Sequence, residues 1–414
     1  MADSKAMTHT TKSKLAYLFL FLGLLFSCEE KTKKKESSPP TVSSEGIVPL
    51  TKTWEIAVPN QEVPEGIAGL SAKQCGQCHQ KHYEEWQYST HSRAWTDLQF
   101  QAELKKDTSP IMCINCHIPL QNQQAFFVGG YIDGDIYKPL KIPNPKFDKK
   151  LQQEGINCAG CHVRNNAVIG PTGTSKAPHK TIKDPDHLSE KLCIGCHNAV
   201  ATITPTLACT FQTGDEWKAG PYYKKKNCIS CHMEEVRREI VTGYGERKSH
   251  FHHFPGSGIP KRLGAKTKML NGFTFTPSPL RAIFKRKEDV EFTFTLKNEN
   301  AGHKVPTGDP ERFFIISFTL RNDAKEMIKQ EKHRIGEIWE WHPIAKQISD
   351  NNVLPGEERR FTFLNTLDKK GKYSLHVSVE KHRLSDKAAD YNKLGKAYPR
   401  FREVYAKTFT FDVK

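Results

Sequence analysis

The chain has 414 residues, 26% charged and 37% hydrophobic, a balance that excludes a polytopic membrane protein and a wholly disordered chain. Its length suggests two or three domains. A formal net charge of +16 first suggests nucleic acid or an anionic surface as partner, but the arrangement of the 12 cysteines points elsewhere.

Lys5, Lys12 and Lys14 give a basic start, and Leu15 to Leu25 forms an apolar run of eleven residues. That is too short to span a bilayer as a stable helix and suits the core of a signal peptide. Leu25-Phe26-Ser27-Cys28 resembles a bacterial lipobox, which implies a lipoprotein signal peptide at 1–27 and lipidation of Cys28. The alternatives are an ordinary cleaved signal and an uncleaved anchor. Residues 28–48, charged and rich in Ser and Pro, predict a disordered tether. Its Lys33-Lys34-Lys35 run is either solvated linker or a contact for anionic headgroups.

Residues 49–260 hold five frames of one form, Cys-x-x-Cys-His. They are Cys75, Cys78 and His79; Cys113, Cys116 and His117; Cys158, Cys161 and His162; Cys193, Cys196 and His197; and Cys228, Cys231 and His232. Such a frame is the attachment signature of a c-type haem, in which two thiols add to the vinyl groups and the His reaches the iron. A zinc ribbon or redox dithiol explains one Cys-x-x-Cys, but neither needs a His after every second Cys. Five covalently attached haem c groups are therefore expected. Cys209 is read as a small apolar packing residue. With so little chain between frames, the porphyrins must supply much of the core. Short helices over Ser71–Trp86 and Asp97–Lys106, many loops and almost no sheet are predicted.

Beyond about residue 272 the pattern changes to period two. Phe273–Phe275, Phe292–Leu296, Phe314–Leu320, Phe361–Phe363, Tyr373–Val379 and Phe409–Val413 alternate apolar with polar residues. The expected fold class is α+β: a mainly helical, loop-rich pentahaem domain at 49–260, then an immunoglobulin-like β-sandwich at 261–414.

Cys75–Trp95, CGQCHQKHYEEWQYSTHSRAW, resembles the opening of multihaem cytochromes of the cytochrome c-554 type, relatives of hydroxylamine oxidoreductase and pentahaem nitrite reductase. The resemblance implies that His91 is a distal ligand, to a haem other than the one just upstream. His252-His253-Phe254-Pro255-Gly256 is similar to a segment that follows the last frame in such proteins and implies His252 as a ligand, with His250 and His253 as rivals. Gly302-His303-Lys304-Val305-Pro306-Thr307-Gly308 is similar to a loop of members with a C-terminal β domain and implies His303. By position between the third and fourth frames, His179 and His187 complete the expected metal set. His82 is a further candidate, while His333, His342, His376 and His382 read as sheet or surface residues.

The first functional expectation is electron transfer along closely packed haems, between redox proteins or quinol-linked membrane complexes, by a lipid-anchored protein facing the periplasm or cell surface. The alternative is a multihaem oxidoreductase with one open-site haem acting on a small nitrogen or oxyanion substrate of the nitrite or hydroxylamine type. No frame ends in Lys, unlike the usual catalytic frame of the pentahaem nitrite reductases. A non-redox scaffold is the third reading. Charge supports a redox partner over nucleic acid. Residues 261–414 carry 31 basic and 20 acidic side chains, and residues 28–260 carry 28 and 25. About two carboxylates per haem would bring the haem segment to neutral or acidic, leaving the basic β domain to dock an anionic partner or membrane surface.

Overall fold

The computed structural model describes residues 46–106, 111–173 and 176–414. The expected signal peptide at 1–27, Cys28 and most of the expected tether lie outside the described residues. Residues 45–414 form one compact unit. Among the described residues no helix is long and apolar enough to cross a membrane.

Each frame lies in or beside a short helix: α1 (Ala72–Cys75), α4 (Ile111–His117), α6 (Cys158–His162), α7 (Glu190–His197) and α9 (Cys228–His232). Small polar residues begin four of them. Asn157 accepts from Gly160 N and Asn227 from Ser230 N, both at 3.0 Å; Ser71 and Ser189 cap α1 and α7 in the same manner. The expected Ser71–Trp86 helix is two pieces, because the chain turns at Cys78-His79 before α2 (Gln80–Tyr88). Helix α3 (Leu98–Leu104) follows Asp97, and α5 (Lys149–Gln152) and α8 (Thr213–Ala219) lie between frames.

The expectation of almost no sheet in this segment is corrected. Strands β1 (Ile47–Val48), β2 (Phe126–Ile132) and β3 (Pro139–Pro143) form one sheet, and β4 (Val163–Arg164), β5 (Ala167–Gly170) and β6 (Thr181–Lys183) a second. Strand β7 (Ala199–Thr204) pairs with β8 (Leu207–Phe211), and β9 (Glu235–Glu239) with β10 (Glu246–His250). The physical reason is backbone satisfaction: a porphyrin fills volume but accepts few backbone hydrogen bonds, so the inter-frame chain bonds to itself. Asn165 and Asn166, at φ 51° and 59°, make the tight turn between β4 and β5.

The C-terminal part holds two sheets. Strands β11 (Phe273–Pro277), β13 (Asp289–Asn298) and β18 (Glu358–Thr366) run in the order β11-β13-β18. Strands β12 (Ile283–Phe284), β14 (Phe313–Asn322), β15 (Met327–Ile335), β19 (Gly371–His382) and β20 (Phe401–Val413) run β12-β20-β19-β14-β15. Strands β16 (Ile338–Glu340) and β17 (Lys346–Ser349) form a separate hairpin, and α10 (Asp386–Tyr391) precedes β20. The inner faces meet at Phe292 and Phe294 of β13, which pack on Phe318 of β14 and Phe409 of β20. This core is a cluster of 21 buried residues, whereas the largest in the haem-frame segment has five. That deficit is what cofactors packed between the frames would fill.

Candidate haem-binding site

Four of the five proximal candidates share one arrangement. The Nδ1 of His117 lies 2.7 Å from Ala94 O, that of His162 2.9 Å from Ile169 O, that of His232 2.7 Å from Pro255 O and that of His79 3.3 Å from Ile240 O. A carbonyl can only accept, so Nδ1–H donates in each, leaving Nε2 as the lone-pair nitrogen. Burial keeps His117 and His197 neutral, each with a pKa pushed down to about 4.

Four second imidazoles face four of these rings. His79 and His179 have ring centroids 6.4 Å apart, His91 and His197 6.4 Å, His162 and His252 6.2 Å, and His232 and His303 6.4 Å. Two metal–nitrogen bonds of about 2 Å, with each ring centre about 1 Å beyond its nitrogen, require about 6 Å. The residues present therefore fit haem iron held between paired imidazoles. His252 and His303 also donate Nδ1–H to carbonyls, at 2.9 Å to His250 O and 2.8 Å to Lys304 O. Burial pushes the pKa of His91 and His252 down to about 3 and that of His303 to about 4.

Local structure positions these candidate ligands. His91 sits in a short turn after α2, and Ile156 N donates to its carbonyl at 3.1 Å. Gly155, at φ +62°, is pressed so close that a Cβ would lie 2.7 Å from His91 O. Glu85 of α2 forms a buried ion pair with Arg238 and accepts from His252 N at 2.8 Å, fixing the His250–His253 segment.

The fifth expected distal residue, His187, is placed differently. Its Nε2 lies 2.9 Å from Cys161 O, so that nitrogen is committed to a backbone carbonyl. His82 Nε2 lies 2.9 Å from Ser249 Oγ, and His250 Nδ1 2.6 Å from Met233 O. His253 is beside Glu85. Among the described residues no imidazole stands opposite His117; the Phe100 ring lies face to face with it at 3.7 Å and 8°.

The thiols show which frames adjoin. Cys75 is a near neighbour of Cys158, Cys116 of Cys196 and Cys193 of Cys228, and Cys161 lies within the electrostatic reach of Cys196. Frame one thus adjoins three, three adjoins four, and four adjoins two and five. Cys78 and Cys231, in frames one and five, are exposed. Cys209, read from sequence as a packing residue, packs against the cluster of Met112 and Ala199, with Cys113 of frame two as a neighbour.

Sequence reasoning missed Glu311, whose Oε2 accepts from Gln99 Nε2 at 3.2 Å. Burial, then Asp309 and Glu103, push its carboxyl from an ordinary 4.5 up to about 8, against the pull of Lys106. A raised carboxyl stabilises the fold fully below the unfolded value and loses that contribution as pH rises through the folded one. The thermal midpoint of the wild-type protein should fall by several degrees relative to Glu311→Gln between pH 5 and pH 9. Parallel midpoint curves over that range would refute a buried, protonated Glu311.

The profile of the family described as cytochrome c554 and c-prime matches residues 74–132. A penta-heme cytochrome c552 from Thermochromatium tepidum is similar in structure, with a TM-score of 0.58 at 16% identity, covering 82% of this chain and 98% of that one. A CARDB domain from Pyrococcus furiosus (TM-score 0.19, 15% identity, 34% of this chain and 87% of that one) and a β-glucosidase from Listeria innocua (0.20, 15%, 37% and 18%) align too poorly to carry an argument.

Proposed function

We propose that this multihaem c-type cytochrome carries electrons along five covalently attached haems. The observation that supports the reading best is the set of four imidazole pairs with the separation iron requires. Each pair joins residues far apart in sequence, so haem binding and folding are one event. Haem c supplies a one-electron couple when bound, and paired imidazoles keep such iron low-spin with little rearrangement on electron transfer. The contacts between thiols support a path through frames one, three, four and five, with frame two branching at four. The exposed Cys78 and Cys231 make frames one and five the natural points of entry and exit.

The remaining parts of the reading follow from the sequence. Cys28 is the lipidated residue of an exported protein held at a membrane facing the periplasm or cell surface. Its partners are redox proteins or quinol-linked membrane complexes, and the basic C-terminal part, an immunoglobulin-like sandwich, steers docking. An association rate that does not change with ionic strength would count against that steering.

A second reading is favoured by one observation, the lack of a facing imidazole at His117 among the described residues. A haem there with an open distal side suits a multihaem oxidoreductase acting on a small nitrogen or oxyanion substrate. The pyridine haemochrome assay and mass spectrometry should give five haems, and EPR of the ferric protein should show at least four low-spin centres. Fewer than four would overturn the paired-imidazole reading. A high-spin signal that moves with nitrite, hydroxylamine or cyanide would select the oxidoreductase, and its absence would select the pure carrier.

A further inference from the structure

Behind the His252 ring lies a guanidinium. His252 Nδ1–H donates to His250 O at 2.9 Å, and the same oxygen accepts from Arg238 Nη2 at 3.0 Å. Arg238 is held firmly in that place. It is 7% exposed, and both Nη1 and Nη2 donate to the Glu85 carboxylate, Nη2 at 2.9 Å. The Phe251 ring covers the guanidinium, its centre 5.2 Å from Cζ. Glu85 Oε2 also accepts from His252 N at 2.8 Å, which closes the ion pair and the backbone of the candidate ligand into one unit. Among the described residues Arg238 Nε is buried without a partner, a cost the fold carries to keep the fork in this orientation.

Two donors on one carbonyl compete for its electron density. A ligating imidazole whose outer N–H meets a strong acceptor becomes more basic and gives more density to the metal, which favours ferric iron. A carbonyl already engaged by a charged guanidinium is a weaker acceptor, so the imidazole gives less and ferrous iron gains. Arg238 and Glu85 nearly cancel as charges, and what remains is the direction of the Nη2 donor.

Resting on the haem reading above, we infer that Arg238 is a positioning residue that raises the reduction midpoint of the haem bounded by His162 and His252. It acts through the shared carbonyl of His250, and Glu85 holds the guanidinium in register. Frame three lies between frames one and four on the proposed path, so Arg238 sets the level at which an electron rests midway along it.

The test uses the haem-loaded full chain, with redox titration followed by visible spectroscopy and EPR. The haem concerned is identified as the one whose low-spin signal His252→Ala removes. Two variants take the second donor from His250 O. Arg238→Lys keeps a cation beside Glu85 but lacks the planar fork that serves Glu85 and His250 O together. Glu85→Gln with Arg238→Gln removes both charges at once and strands neither. Each should lower the midpoint of that haem, by about tenfold in the ferrous-to-ferric ratio at fixed potential, about 59 mV for one electron. The low-spin count and the other midpoints should stay as in the wild type, which a merely structural role would not produce. A wild-type midpoint in either variant, at full haem content, overturns the inference. A shift in the double variant alone assigns the effect to charge and overturns it as well. Pyridine haemochrome of the wild type separates the two readings: fewer than five haems, or no low-spin signal lost in His252→Ala, counts against the haem reading and not against the role of Arg238. Should Arg238→Lys fail to fold, the double variant, with no buried ion left unpaired, carries the same test.

Discussion

In His303→Ala, one haem of the assembled protein should change from low-spin to high-spin while the others keep their spectra. His303 has its ring centroid 6.4 Å from His232 with the planes at 19°, so its removal takes away the only facing imidazole among the described residues. No neighbouring His can substitute without backbone movement. The ligand is delivered from outside the haem-frame segment, by a loop anchored in the C-terminal core. Asn298 Nδ2 donates to His303 O at 3.0 Å and to Val353 O at 2.9 Å, fixing the loop to β13. Gly220, after α8, presses from the other side: a Cβ there would lie 2.2 Å from Gly302 O. Gly220→Ala should push the loop and give a partial high-spin fraction with the imidazole still present. Quantitative EPR checks both variants. An unchanged low-spin count in His303→Ala would remove the C-terminal part from the haem site.

The frames were legible because haem attachment needs contiguous residues, and a contiguous motif is visible without a fold. Pairing of distal ligands was not legible, because it depends on packing between distant segments. His179 and His187 illustrate the difference. Both lie between the same two frames, yet Asp184 Oδ1 accepts from His187 N at 2.8 Å and turns that ring toward Cys161 O. Nothing in local sequence separates them. The C-terminal strands with alternating Phe, Ile, Leu and Val were readable because each buries one face. Strand β15, MIKQEKHRI, was missed: it pairs with β14 alone at the sheet edge, where charged residues are favoured on both faces. The small sheets between frames were missed because they bury little apolar surface; their signals were turn residues such as Asn165-Asn166.

The largest expected loss of stability comes from Asp97→Ala. Asp97 is 2% exposed, pairs with Lys261 and accepts from Tyr398 Oη at 2.8 Å. Tyr398 Oη in turn accepts from Arg383 Nη1 at 2.7 Å, and Arg383 Nη2 donates to Ile259 O at 2.6 Å. Burial alone would raise the Asp97 carboxyl, but Lys261 and Arg383 outweigh it and hold it below its ordinary 3.8. Truncation leaves Lys261 and Arg383 enclosed without their anion, a change that costs about 3–5 kcal/mol in comparable buried pairs. Truncating Lys191, whose pairing with Asp186 is exposed, should leave stability nearly unchanged. A depressed carboxyl contributes stability above its unfolded value and loses it as pH falls through the folded one, so the penalty should shrink below about pH 4. Asp97→Ala combined with Lys261→Met should recover much of the loss, because it removes one of the stranded charges. The network ties the start of α3, among the haem frames, to the chain between β19 and β20. Its loss should therefore also loosen the coupling that makes residues 45–414 one unit. Calorimetry of the haem-loaded variant would show this as a broadened or split transition, whereas a single transition within about 1 kcal/mol of wild type would mean the network contributes neither stability nor cooperativity.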